Sequence, residues 1–137
     1  MPDQNTQQTT TAPPADLWAD IDALWDWLDA HRAHGGREGL LLRMLKLTEE
    51  VGEVAQAVIG ATGQNPRKGT SHTWDDVQSE LCDVVITALV ALRTLTPEPR
   101  EVFERHLAKV RERSLGAPGA AERTEEAERT EEAEPTP

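Results

Sequence analysis

Tyrosine is missing from this chain of 137 residues, and phenylalanine and cysteine each occur once. The single thiol, Cys82, cannot close an intrachain disulfide or build a cysteine-based zinc site, so nothing points to an oxidising compartment and a cytoplasmic location is expected. Positive charge is also scarce, with 14 Lys and Arg against 25 Asp and Glu for a net charge of -11. That balance opposes attraction to nucleic-acid phosphates and to anionic lipid surfaces, and neither is expected as a partner. No stretch reaches the roughly 20 apolar residues that a bilayer span requires. The opening segment is rich in Gln and Thr and lacks the basic-then-apolar order of a signal peptide. Convincing alternation of β-branched residues is absent as well, which argues against a sheet.

What remains is helical. With 37% hydrophobic residues the chain can fill one modest core, and its length suits a single domain. The expected organisation is a disordered N-terminal segment at 1–15, a helical domain at 16–115 and a disordered acidic tail at 116–137. The tail holds the sequence Ala-Glu-Arg-Thr-Glu-Glu twice, at 121–126 and 127–132, too short for a solenoid. Four helices are predicted between these ends. The first starts after Asp16 as N-cap, carries Leu17, Ile21, Leu24 and Leu28 on one stripe, and stops at Gly35-Gly36. A second spans about 38 to 60. The third opens with Thr73 and Asp76 in capping-box spacing and runs to about Leu95. The fourth begins around Thr96-Pro97 and ends before Gly116. Short connections between four helices suggest an all-α, four-helix bundle-like domain.

Helix rotation of about 100° per residue places Glu49, Glu50, Glu53 and Lys46 on one arc of the second helix. Such an arc fits the wet face of any amphipathic helix, with Lys46 and Glu50 as an ordinary i,i+4 pair. Against that stand the apolar Leu42 and Ala57 on the same side. The third helix carries Glu80 and Asp83, three apart on one face, at the entrance to Val84 through Leu92, a run without charge that predicts burial on most faces. If the acids of the two helices face each other, they must take up protons or a positive charge. Oxygen donors without His or Cys favour Mg²⁺, or Mn²⁺, over zinc. A ferritin-like iron site is disfavoured because Glu-x-x-His occurs nowhere.

Glu49-Glu50-Val51-Gly52-Glu53, followed after 26 residues by Glu80-Leu81-Cys82-Asp83, resembles the MazG-like family. Its members are all-α nucleoside triphosphate pyrophosphohydrolases marked by Glu-x-x-Glu and then Glu-x-x-Asp. The resemblance covers roughly residues 17 to 114. It implies hydrolysis of a nucleoside triphosphate to the monophosphate and pyrophosphate, with Mg²⁺ held by Glu50, Glu53, Glu80 and Asp83, and assembly as a homodimer or homotetramer. Glu49, on the same arc, is the candidate for orienting or deprotonating the attacking water, and a plain surface glutamate is the alternative. An anionic substrate calls for basic groups, for which Lys46, Arg67, Lys68, Lys109 and Arg113 are candidates. Lys109 and Arg113 loosely match a basic pattern of the family, although the asparagine often found among them is absent here.

Base recognition is not legible. Trp18 and Trp25 sit near the apolar stripe of the first helix and read as core anchors; Trp27 and Trp74 are free to edge a pocket or an interface. Cys82 reads as a buried thiol. The competing function classes are a non-catalytic, metal-dependent nucleotide-binding or regulatory protein and a structural helical module. The latter has no use for Glu80 and Asp83 beside a charge-free helix.

Overall fold

The computed structural model describes residues 16–116, so the segments expected to be disordered, at 1–15 and from 117 on, lie outside the described residues. Within them the chain forms four α-helices and no strand: α1 (Leu17–Ala30), α2 (Gly36–Thr62), α3 (Trp74–Leu95) and α4 (Pro99–Leu115). The all-α class follows directly. The chain divides into two compact units, one ending at Pro97 and one beginning at Glu98.

Local chemistry sets each boundary. The Asp16 carboxylate accepts from the Trp18 backbone N–H at 3.1 Å, as an N-cap should. α1 ends at Ala30, short of the two glycines expected to stop it. The reason lies at His31, whose N–H turns back to the carbonyls of Trp27 and Leu28 and whose ring stacks on Trp27 at 4.7 Å. Gly36, at φ 58°, then opens α2, and Gly63 closes it in the left-handed conformation at φ 62°. α3 begins with the anticipated capping box, since Thr73 Oγ1 accepts from the Asp76 N–H while Asp76 accepts from the Thr73 N–H. α4 begins two residues later than expected, with Pro99 rather than Pro97 in its first turn.

In the first unit α3 packs against both α2 and α1. Ile21 of α1 meets Leu89 and Val90 of α3, with Trp18 and Trp25 packed against them, and each of the three contributes about 1.5–3 kcal/mol through burial. Both tryptophans therefore anchor the core, as their spacing suggested. Trp25 also donates from Nε1 to Thr94 Oγ1 at 3.1 Å. Arg93 lies over its ring at 4.3 Å from the centroid and donates to Asp22 at 2.6 Å. These contacts lock α1 to the C-terminal half of α3.

Burial of α3 is less complete than its sequence suggested. Val77, Leu89, Val90 and Ala91 are buried, but Trp74, Leu81 and Val85, one stripe at i, i+7 and i+11, are 59%, 50% and 55% exposed. Cys82 is exposed too, against the expectation of a buried thiol. Two neighbouring helices cannot enclose the whole circumference of a third, so the surplus apolar face of a single copy stays open.

Candidate metal centre

Where α2 and α3 run side by side, their acids converge. Glu50, Glu80 and Asp83 each offer a carboxylate oxygen, and the three atoms lie within 4.8 Å of one another. One ion can be shared across that separation. Glu50 is buried at 7% exposure, Glu80 is half-buried and Asp83 is open to solvent, giving an inner anchor and an accessible rim. The spacing arises from two rules: Glu80 and Asp83 are neighbours on α3 because they are three apart, and Glu50 faces them because Ala57, two turns on, is packed at zero exposure.

Glu53 stands beside this trio rather than in it. Its carboxyl is hydrogen-bonded to that of Glu50, an arrangement that needs one proton between the two acids. That bond pushes Glu53 above the ordinary glutamate range, and the nearby charges of Glu50 and Glu80 push the same way. The fourth expected ligand thus keeps its proton more readily than an ordinary glutamate, and that proton would compete with an ion.

Lys46, expected to meet phosphate, bonds instead to the acids. Its Nζ lies 2.7 Å from Glu50 Oε1 and 2.9 Å from Glu49 Oε2, so the ordinary i,i+4 pair on the arc does exist. The bond from Lys46 holds Glu50 below the usual glutamate range despite burial, and the two carboxylates hold Lys46 well above the usual lysine range. The acids therefore already carry one resident positive charge, in addition to whatever an ion supplies. Glu49 is exposed and tied to the margin of the trio through Lys46 alone.

Of the other basic candidates, Arg67 and Lys68 occupy an exposed turn built on Asn65, whose side chain accepts from the Arg67 N–H and whose carbonyl accepts from the Lys68 N–H. Neither forms an ion pair with the acids. Lys68 borders a small cavity of about 190 Å³ with His72 and Gly60. Lys109 and Arg113 lie one turn apart on α4, in the second unit, where they border a shallow surface pocket with His106 and Glu112. None of the four histidines joins the trio.

Beside the acids lies a cavity of about 370 Å³ that the sequence did not disclose, walled by Leu24 and Leu28 of α1, Leu42 and Arg43 of α2, and Ile86 and Val90 of α3. Lys46 and Thr87 also line it. Each is one helical turn from an acid of the trio, Lys46 from Glu50 and Thr87 from Asp83, so the cavity adjoins the acids. Within the cavity wall Arg43 Nη1 is buried with no hydrogen-bond partner. The signal that could have revealed it is Arg43's place as the lone cation within Leu40-Leu41-Leu42-Arg43-Met44-Leu45. This chain matches no family model, no curated protein and no solved structure.

Proposed function

We propose that the protein hydrolyses a nucleoside triphosphate, deoxy or non-canonical, to the monophosphate and pyrophosphate with the help of Mg²⁺, for which Mn²⁺ can substitute. The observation that carries this reading is the meeting of Glu50 with Glu80 and Asp83 from two helices within 4.8 Å. Those helices bear the two halves of the acidic motif. The donor set fits the ion, since every group is a carboxylate oxygen and Glu53 stands ready as a fourth. Bound there, Mg²⁺ would neutralise phosphate oxygens and acidify a water.

The chain's own residues then have defined tasks. Phosphoryl transfer needs little from a protein beyond alignment and charge neutralisation. A water oxygen forms its bond to the α-phosphorus as the bond to the bridging oxygen breaks, and pyrophosphate leaves. Glu49, exposed and 2.9 Å from Lys46, is the group that orients this water and accepts its proton. Lys46, at the margin of the acids, would turn its ammonium to the departing phosphates. Arg67 and Lys68 are further candidates for phosphate contact. The enzyme works in the cytoplasm as a homodimer or homotetramer, in which the open apolar stripe of α3 is covered.

The test is pyrophosphate release from a panel of canonical and modified nucleoside triphosphates with Mg²⁺ and Mn²⁺. Release from at least one substrate, lost in Glu50→Gln and Asp83→Asn, is the expected result. Metal-dependent nucleotide binding without release would identify the regulatory, non-catalytic alternative instead. Full activity in both variants would remove the acids from the mechanism.

A further inference from the structure

Arginine side chains in protein interiors are paired, because a guanidinium out of water leaves five donors to satisfy and a charge to balance. Arg43 is half-buried and departs from this at one nitrogen. Its Nη1 is buried and unbonded, and no ion pair joins it to any acid of the described residues. Asp29 borders a smaller neighbouring pocket together with Arg43. Asp29 is already engaged, with Arg32 Nη1 at 2.9 Å. The protein therefore offers a hydrogen-bond donor that it does not itself satisfy, in a largely apolar wall to which Arg32, His34, Lys46 and Thr87 also contribute.

The position of that donor names its acceptor. A nucleotide whose phosphates lie at Glu50, Glu80 and Asp83 has its base one helical turn or more away, and Lys46 and Thr87, each one turn from an acid of the trio, line this cavity. Flat, apolar walls with a few placed polar groups suit a heterocyclic base. We propose that Arg43 is a specificity-determining residue: it donates to an exocyclic carbonyl oxygen of the base and selects uracil, thymine, cytosine or guanine against adenine. A guanidinium only donates. Adenine's exocyclic group is an amine, itself a donor, set beside its N1 and N7 acceptors where it repels a second guanidinium N–H, whereas the other bases present an exocyclic oxygen. This inference rests on the nucleotide reading above, but it concerns which base is held and not whether a phosphoanhydride is cleaved.

Dissociation constants of dUMP and dAMP, measured without metal by calorimetry, test it directly. Wild-type protein should bind dUMP about tenfold or more tighter than dAMP, as a charge-assisted hydrogen bond to an otherwise unpaired donor warrants. Arg43→Met, which keeps the apolar bulk of the side chain, should weaken dUMP to the level of dAMP and leave dAMP unchanged, and Arg43→Lys should restore part of the difference. Equal binding of the two by wild type, or an equal loss of both in Arg43→Met, overturns the inference. Should Arg43→Met fail to fold, the wild-type ranking of dUMP, dCMP and dGMP against dAMP decides alone: carbonyl bases above adenine sustain the role, and no such order ends it. Pyrophosphate release from dUTP and dATP separates the two readings. A base preference that depends on Arg43, without release, leaves the inference standing and removes the reaction. Release with equal kcat/KM for both, untouched by Arg43→Met, does the reverse.

Discussion

Lys46 and the proposed Mg²⁺ would compete for one carboxylate. Because the ammonium sits 2.7 Å from Glu50 Oε1, an incoming ion must displace it, and Lys46→Met should tighten Mg²⁺ binding by up to about fivefold, the worth of a partly exposed ion pair. Isothermal titration of both proteins checks this, and weaker binding in the variant would show that Lys46 supports the site. Protons compete as well. Glu53 titrates above the ordinary glutamate range, so its proton stabilises the metal-free fold at low pH, and that contribution is lost as pH rises through the raised value. Glu50 has the opposite sign: its depressed value gives stability present above the ordinary glutamate range and lost as pH falls through the folded one. Mg²⁺ affinity should therefore climb with pH above the usual glutamate range and flatten once Glu53 is ionised. Glu53→Gln should remove that climb, as measured by the Mg²⁺-induced rise in Tm across pH 4 to 8.

Among the elements, α3 bears the greatest responsibility, since it carries Glu80 and Asp83 and forms the packing partner of both α1 and α2. Its capping box fixes where the helix starts and hence which face the acids occupy. Thr73→Ala should cost about 1 kcal/mol in urea unfolding. Asp76, held below the ordinary aspartate range chiefly by the Thr73 backbone N–H, contributes stability above that range which fades as pH falls, and Thr73→Ala should reduce this acid sensitivity. The cap was legible in the sequence because it depends on two residues three apart. The helix count and the spacing of the two acidic half-motifs were legible for the same reason, being local or periodic, whereas Gly63 closes α2 beyond the end expected near residue 60. The early end of α1 was not, because it is made by stacking of His31 on Trp27, a contact that competes with the glycine signal four residues on. Glu53's place beside the trio also escaped, since arc geometry on one helix does not say how the opposing helix is rotated. Arg43 was overlooked because a lone cation in an apolar helix stretch acquires meaning only once three helices close around it. Conversely, the charge-free run of α3 overstated its burial, which periodicity records as apolar surface whether or not the chain itself covers it.

For the molecule as a whole, the exposed stripe of Trp74, Leu81 and Val85 is more apolar surface than a solitary small domain usually displays. Sedimentation should find assemblies of two or four copies at micromolar concentration, and Val85→Glu should shift them toward the monomer. A monomeric wild type would refute the assembly. No helix among the described residues is long and apolar enough to cross a membrane, so the stripe is not accounted for by a lipid span. The net charge of -11 bears on the same equilibrium, because like-charged copies repel and added salt should strengthen their association. The contact between Lys46 and Glu50 reaches further than the groove it occupies. Since the deepest acid has a cation of its own, the fold does not wait on its ion to become tolerable, unlike small zinc domains that collapse when stripped. On the proposed reading, chelation should silence this protein and leave it standing, so that loss and return of magnesium would act as a reversible brake.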